Sequence, residues 1–418
     1  MRFLHTSDWH LGRSLHRADL RAAQAAFLDH LVETARAEKV DAVLVSGDVY
    51  DRAIPPVDAV ELFEDALVRL RATGARVILI SGNHDSARRL GFSSALIDAA
   101  GVHLRTRASA LASPVLLDDD HGQVAVYGIP YLEPALGLPE GPEPAGGSAG
   151  DASSGAGPGG SASPDSEASP DSDAQERRPL PRSHRAVLGE SLRRIRAASA
   201  GQARRVVLAH AWVTGAGPSE VSKSERDIRV GGIGDVPSSL FDGFSYVALG
   251  HLHGQQVVAE HVRYSGSPLP YSFSEAHQRK GSWLVELGDG GKMAAERVDA
   301  PVYRRLSEVR GRLPDLLSSR ELDGVAGDFL AVTLTDPARP DAAMDRLLRR
   351  FPHVLTLDFK PEGVVRAEQS YGERVRGKDD LAVAAEFIEH VRNTGPTAGE
   401  RDLLAAAFTA VRTGEQEA

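Results

Sequence analysis

Five short polar segments carry side chains whose types and spacing could do chemistry: Asp8-Trp9-His10, Gly47-Asp48-Val49-Tyr50-Asp51, Gly82-Asn83-His84-Asp85, His210, and Gly250-His251-Leu252-His253. They offer carboxylate oxygens, an amide oxygen and imidazole nitrogens, with no sulfur among them. That mixture can hold two divalent cations close enough to share a bridging carboxylate, an arrangement that lowers the pKa of water and clamps phosphoryl oxygens. Taken singly each segment says little, because a lone His-x-His is more often a satisfied loop or core histidine than a pair of ligands. Five in series shift the balance.

The elements that must position them are legible as well. Each segment stands at the end of an apolar run, Arg2 to Thr6, Ala42 to Ser46, Val77 to Ser81, Val206 to Ala209 and Tyr246 to Leu249, which is β-branched or leucine-rich and reads as a strand. Strands of one sheet deliver their last residues to one edge, and in open α/β sheets ligands bind at that edge. Between the strands lie helical patterns. Phe27, Leu28, Leu31, Val32 and Ala35 make one stripe, and Leu62, Phe63, Ala66, Leu67 and Leu70 make another after Pro55-Pro56. Alternating strands and helices argue for a layered α/β core.

At these residues the chain resembles the calcineurin-like metallophosphoesterase family, whose motifs D-x-H, G-D-x-x-D, G-N-H-D, a lone H and G-H-x-H all occur here in order. Thr6 to Gly12, Gly82 to Ser86, Tyr264 to Pro268 and the run from Ser224 through Arg226 to Gly232 are similar to a nuclease-subunit branch of that family. The resemblance implies a two-sheet α/β sandwich core over residues 1–300, a small α+β cap domain over DNA at 301–375, and a C-terminal helical hairpin at 376–418 that binds a partner. It implies that Asp8, His10, Asp48 and His253 hold one ion and that Asp48, Asn83, His210 and His251 hold the other, with Asp48 bridging. The ions would be manganese. His84 would serve the leaving oxygen as proton donor or hydrogen-bond partner, and Asp51 would orient a histidine or the loop. The implied activity is a 3'-5' double-strand exonuclease and single-strand endonuclease acting on DNA ends and hairpins in repair, recombination and replication. The implied partners are DNA, a coiled-coil ATPase subunit, and a second copy of the chain within a heterotetramer. Arg13, Arg17, Arg88 and Arg89 flank the motif loops and would guide phosphates.

Composition sets bounds. The 418 residues leave room for a large core plus appendages, and the absence of cysteine excludes disulfides, thiolate metal sites and a cysteine nucleophile. No signal peptide or membrane-spanning run is apparent, so a cytoplasmic location is expected. The net charge of -10 argues at first sight against DNA, but Gly137 to Ser183 holds eight acidic residues against three arginines, half of that total. Two bound dications would add about four positive charges where phosphate must sit. The same Gly137 to Ser183 stretch is Gly, Pro, Ser, Ala and Asp with almost no large apolar residue, and is expected to be a disordered insertion within the catalytic domain.

Beyond Pro301 the sequence reads as helix from about Leu306 to Ser319, strand from Phe329 to Leu334, helix from Asp341 to Arg350 and strand from Val354 to Phe359. Two short helices follow from about Lys378, the second opened by a capping box of Thr397 and Glu400. Their apolar stripes need something to pack on, the parent core or a partner. Gly372 to Asp379 approaches a P-loop but lacks the final Ser or Thr and a preceding apolar strand, so ATP hydrolysis would fall to a partner. Two other functions fit the same motifs: a phosphoesterase for a small substrate, such as a cyclic nucleotide or a phosphoprotein, and a catalytically silent DNA-end scaffold.

Overall fold

A computed structural model describes residues 1–138, 182–215, 217, 219–226, 228, 236–362, 377–392 and 394–416. Most of the expected insertion and the P-loop-like run from Gly372 to Arg376 lie outside the described residues. The chain forms two compact units, one from Met1–Arg13, Arg21–Leu269 and Gln278–Pro301, the other from Ser14–Leu20, Pro270–His277 and Val302–Ala418.

The first unit holds two six-stranded sheets. One runs in the order Met293–Asp299, Gly281–Leu287, Arg2–Thr6, Ala42–Ser46, Arg76–Ile80, Val102–Leu104, with the last four strands parallel. The other runs Gln256–Ala259, Val262–Tyr264, Tyr246–Gly250, Arg204–His210, Gly122–Ile129, Val115–Asp119, parallel in its middle four strands and antiparallel at both edges. Alternate residues explain the layering. Phe3, Ala42, Leu44, Ile78 and Ile80 of the first sheet pack with Val124, Val126, Val206, Leu208, Tyr246 and Ala248 of the second. The intervening residues Leu4, Val43, Val45, Val77 and Leu79 lie under helices Arg21–Ala37 and Val57–Ala72, which contribute Phe27, Leu28, Leu31, Phe63, Ala66 and Leu70. On the opposite flank Tyr127, Val207, Ala209, Val247 and Leu249 pack with Leu188, Leu192 and Ile195 of helix His184–Ala198. With both faces covered, the central strands carry apolar residues on both faces, which is why they read as nearly continuous runs. Each fully buried Val, Leu or Ile contributes about 1.5–3 kcal/mol, so three such layers can carry an edge crowded with buried polar groups.

The second unit is built on three parallel strands in the order Leu306–Gly311, Phe329–Leu334, Val354–Phe359. Helices Leu313–Ser318 and Ala343–Arg350 pack on them through Leu313, Leu316, Leu347 and the buried Phe351 that follows. This corrects the helix expected from Leu306 to Ser319, because its first half is a strand. Leu306 and Val309 fit a helical stripe, but Pro314 belongs in the first turn of a helix and cannot sit in the middle of one, so the helix begins at Leu313. Pairing with Phe329–Leu334 then decides the state of the preceding residues. The chain ends in helices Asp380–Arg392 and Ala398–Gln416. The capping box is formed: the Thr397 N–H donates to Glu400 Oε2 at 2.8 Å and the Glu400 N–H to Thr397 Oγ1 at 3.3 Å. Phe387, Val391, Leu403 and Val411 on these helices are exposed. Among the described residues no helix is long and apolar enough to cross a membrane.

Candidate metal centre

All five polar segments stand at the C-terminal ends of parallel strands of the sandwich, and the backbone there is shaped to turn side chains inward. Asp8, His10, Asp48 and His251 adopt positive φ of 53°, 45°, 49° and 107°, a region that costs non-glycine residues energy and clusters at functional sites. A short backbone ladder ties the first two segments: the N–H groups of Asp8, His10 and Leu11 donate to the carbonyls of Gly47, Asp48 and Val49 at 3.0, 3.0 and 2.9 Å. Two glycines are required by close approach. A Cβ on Gly82 would collide with the Asp48 carboxylate, and one on Gly250 with the Ser46 carbonyl, so the loops could not converge with any larger residue.

The donor atoms meet in two groups on either side of Asp48. On one side Asp8, His10 and His253 bring ligand atoms within 4.8 Å of one another, with His10 Nε2 and His253 Nε2 3.2 Å apart. On the other, Asn83 Oδ1 lies 2.9 Å from His210 Nε2 and 3.2 Å from His251 Nδ1. Asp48 Oδ2 stands between, 3.8 Å from His10 Nε2 and 3.5 Å from His210 Nε2. His210 Nδ1 donates to the Ser46 carbonyl at 2.9 Å, which in the neutral ring leaves Nε2 as a lone pair facing an amide oxygen. Two acceptors at that distance repel unless a proton or a cation lies between them. His251 Nε2 and Asn83 Nδ2 are buried without hydrogen-bond partners. The donor set, oxygen and nitrogen without sulfur, fits a pair of divalent ions.

The charges tell the same story. Burial raises the Asp8 carboxyl to about 7, with Asp48 adding to the shift while His210 opposes it. Burial also works to raise Asp48, yet His210 and His10 outweigh it and hold that carboxyl well below the usual range. His210 is opposed by burial but lifted to about 9 by the facing Asp48 and by Asp8. His10 and His251 are pushed well below 6.5, first by burial and then in part by neighbouring histidines. Groups of such strained and mutually dependent charge are a mark of functional sites.

His84 is half-buried beside this centre. Its Nδ1 donates to the Asp51 carbonyl at 2.7 Å, and its backbone N–H donates to Asp48 Oδ1 at 2.8 Å. The Asp51 carboxylate lies 3.8 Å from His10 Nδ1 and 3.6 Å from Arg13 Nη1. Of the four arginines read as phosphate guides, Arg13 is engaged inward, donating through Nη2 to the Ser224 carbonyl at 2.9 Å. Arg88 and Arg89 are exposed on the short helix Ala87–Leu90, and Arg17 is exposed in a hairpin of the second unit.

Sequence reasoning gave no role to Asp85. Its carboxylate accepts from the N–H groups of Gly82, Tyr50 and Val49 at 2.9, 2.9 and 3.1 Å, pinning the second segment to the third. Burial, with Asp48 nearby, raises it to about 7. Gln24 was also passed over, although its amide donates to the His10 carbonyl at 2.8 Å and accepts from the Gly12 N–H at 3.2 Å. Asp85 stands in the G-N-H-D motif, which marks its place but not its role, and Gln24 has no such signal, since in both cases the partners are backbone atoms.

Comparison with known proteins identifies the family. Residues 1–131 match the model of the calcineurin-like phosphoesterases, and residues 302–392 match that of the type 5 capsule protein repressor C-terminal domain. The sandwich is that of the calcineurin-like phosphoesterase class. The SbcD subunit of nuclease SbcCD from Escherichia coli strain K12 is 32% identical over 325 residues, spanning 77% of this chain and 74% of that protein, and its counterpart in Escherichia coli O157:H7 gives the same figures. The chain belongs to the SbcD family of nuclease subunits. A solved structure, TT1561 of Thermus thermophilus, aligns with 71% of this chain and 98% of that one at 13% identity and a TM-score of 0.36, too slight a likeness to inform the site.

Proposed function

We propose that this chain is a metal-dependent DNA nuclease, a 3'-5' exonuclease on duplex ends and an endonuclease on single strands and hairpins, working with a coiled-coil ATPase of the SbcC kind in DNA repair and recombination. The observation that carries this reading is the convergence on Asp48 of Asp8, His10 and His253 from one side and Asn83, His210 and His251 from the other. These residues would hold two divalent ions, manganese in this proposal, with Asp48 shared. When bound, such a pair neutralises phosphoryl charge and activates water at neutral pH.

The chain's own groups do the rest. The His84 Nδ1–H donates to the Asp51 carbonyl, which fixes the ring and leaves Nε2 as the atom that, in the imidazolium form, would donate a proton to the departing oxygen while Nδ1 keeps its own. The Asp51 carboxylate favours a proton on His10 Nδ1, which leaves Nε2 to face the centre. Exposed Arg88 and Arg89, directly after the His84 loop, would attract the DNA backbone. Residues 301–375 would cap DNA. The exposed Phe387, Val391, Leu403 and Val411 supply an apolar face for the ATPase, in an assembly with two copies of each chain.

The test is an assay of the purified chain with Mn2+, with and without the ATPase, on linear duplex, single-stranded DNA and a chromogenic phosphodiester, beside a His84→Gln variant. Cleavage of DNA that disappears in the variant is the expected result. Hydrolysis of the small ester alone would replace the reading with a small-substrate phosphoesterase, and silence on every substrate with the ATPase present would replace it with a DNA-end scaffold.

A further inference from the structure

Three histidines at the centre have their second ring nitrogen spoken for, and the partners differ in kind. His210 Nδ1 and His84 Nδ1 each face a backbone carbonyl, of Ser46 at 2.9 Å and of Asp51 at 2.7 Å. A carbonyl can only accept, so it fixes the tautomer outright. His253 Nδ1 faces a side-chain hydroxyl instead, Ser224 Oγ at 2.6 Å. A hydroxyl can donate or accept, and it fixes the tautomer only if its own proton is committed elsewhere. Ser222 Oγ lies 3.0 Å from Ser224 Oγ, in place to take that proton.

From this geometry we infer that Ser224 is a positioning residue for His253, holding the proton on Nδ1 so that Nε2 faces His10 Nε2 as a lone pair; the inference rests on the metal-binding reading of the site. The surroundings fix the backbone that carries the ring. Glu225 Oε1 accepts from the His253 N–H at 2.6 Å, and its Oε2 accepts from the Ser222 N–H at 3.0 Å. The buried Lys280 ammonium donates to the His253 carbonyl at 3.0 Å. Arg13, three residues past His10, donates to the Ser224 carbonyl at 2.9 Å. The segment from Ser222 to Glu225 thus braces the loop of His10 against the loop of His253, and the Ser224 hydroxyl is where it meets a ligand ring. Hydrogen bonds of this kind orient imidazole ligands and raise their basicity, and losing one weakens metal affinity about 10- to 100-fold.

The experiment titrates the full chain with Mn2+ by calorimetry and records the electron paramagnetic resonance of the exchange-coupled ion pair, for wild type, Ser224→Ala, Ser224→Thr and Ser222→Ala. The expected result is two ions bound by wild type and about a 10- to 100-fold loss at one site in Ser224→Ala. The coupled signal should vanish in Ser224→Ala at Mn2+ concentrations that saturate wild type, Ser224→Thr should retain it, and Ser222→Ala should fall between. Thermal unfolding without metal separates a folding defect from a metal defect, because a structural role alone would lower Tm and leave Mn2+ affinity unchanged. Equal Mn2+ affinity in wild type and Ser224→Ala would overturn the inference while leaving the metal centre standing. A wild-type chain that binds no Mn2+ would remove both.

Discussion

The two rims of the sandwich differ sharply in how they settle their charges. At the rim where the parallel strands begin, Arg204 donates to both oxygens of Asp119 at 2.5 and 2.7 Å and to the Leu287 carbonyl at 2.7 Å, clamping one sheet to the other. Arg204 is raised by Asp119, and Asp119 is held well below the usual carboxylate range, chiefly by Arg204. At the rim where the strands end, Asp8 is lifted by burial and His10 and His251 are pushed down by it, and although Asp48 and His210 offset each other, His10 Nε2 and His253 Nε2 face each other at 3.2 Å. One rim is electrostatically closed within the chain. The other is closed only in part, by Asp48 and His210. The same apolar layers lie between them, so the contrast reflects side-chain choice at strand ends and not any difference in the fold that carries them.

The strongest way to break this contrast is to exchange the consequences of substitution at the two rims. Asp48→Asn should abolish nuclease activity by about a thousandfold or more, since a metal centre supplies several kcal/mol of transition-state stabilisation and each 1.4 kcal/mol is about tenfold. It should also erase the rise in Tm that saturating Mn2+ gives the wild type, a rise that follows from preferential binding to the folded state. Activity assays and melting curves with and without Mn2+ check both parts. An active Asp48→Asn would mean that the centre is not organised around this carboxylate.

A finer division runs within the active rim. His84→Gln should cost about 100- to 10,000-fold in kcat, the usual worth of a positioned acid or base. The Mn2+-induced rise in Tm should survive, because His84 is committed through Nδ1 to Asp51 and is given no ligand role. Loss of metal-linked stabilisation along with activity would move His84 into the ligand set, where its proximity to His10 and Asp48 would then find its reason.

The closed rim should respond the other way. Asp119→Asn should leave kcat unchanged and lower stability by on the order of 1 kcal/mol, a modest figure because the pair lies near solvent. The depressed Asp119 carboxyl favours the folded state above its unfolded value of about 3.9, and that advantage is lost as pH falls through the folded value. Wild type and variant should therefore differ by a constant amount above about pH 5, and the gap should begin to narrow near about pH 4 and close only as pH reaches the depressed folded value. Chemical denaturation across that range measures the gap, and a gap that widened in acid would contradict the assignment.

Much of this was legible in the sequence because strands and their ends have local signatures. Ala42–Ser46 is apolar up to Val45 and stops at Gly47-Asp48, and the structure buries all five of those residues. Helices Arg21–Ala37 and Val57–Ala72 follow the stripes of Phe27 and Phe63. What escaped were relations between distant backbone atoms. The place of Gly281–Leu287 beside Arg2–Thr6 depends on pairing across most of the chain, and Asp85 has meaning only once the loops of Val49 and Gly82 meet it. Leu306–Gly311 failed for a related reason: its apolar spacing suits a helix locally, and a neighbouring strand overrides it.

Arginines offer the mildest test and the cleanest symmetry. Arg88 and Arg89 follow the His84 loop and are exposed, whereas Arg204 at the closed rim is buried and paired with the partly exposed Asp119. If the open rim receives DNA, Arg88→Ala should weaken binding only several-fold and almost equally for all sequences, while the slope of log affinity against log salt falls by about 0.9 for the single phosphate no longer neutralised. Its Tm should not move, as expected for a surface substitution away from packed features. Arg204→Ala should do the reverse, lowering Tm and leaving the salt slope alone, because its guanidinium is engaged by Asp119 and Leu287 and cannot reach a phosphate without abandoning them. Fluorescence anisotropy of labelled duplex from low to moderate salt, with a catalytically inactive His84→Gln background, reads the slope directly. An unchanged slope in the Arg88→Ala, Arg89→Ala double variant would move the DNA path away from this helix while leaving the metal centre where it is.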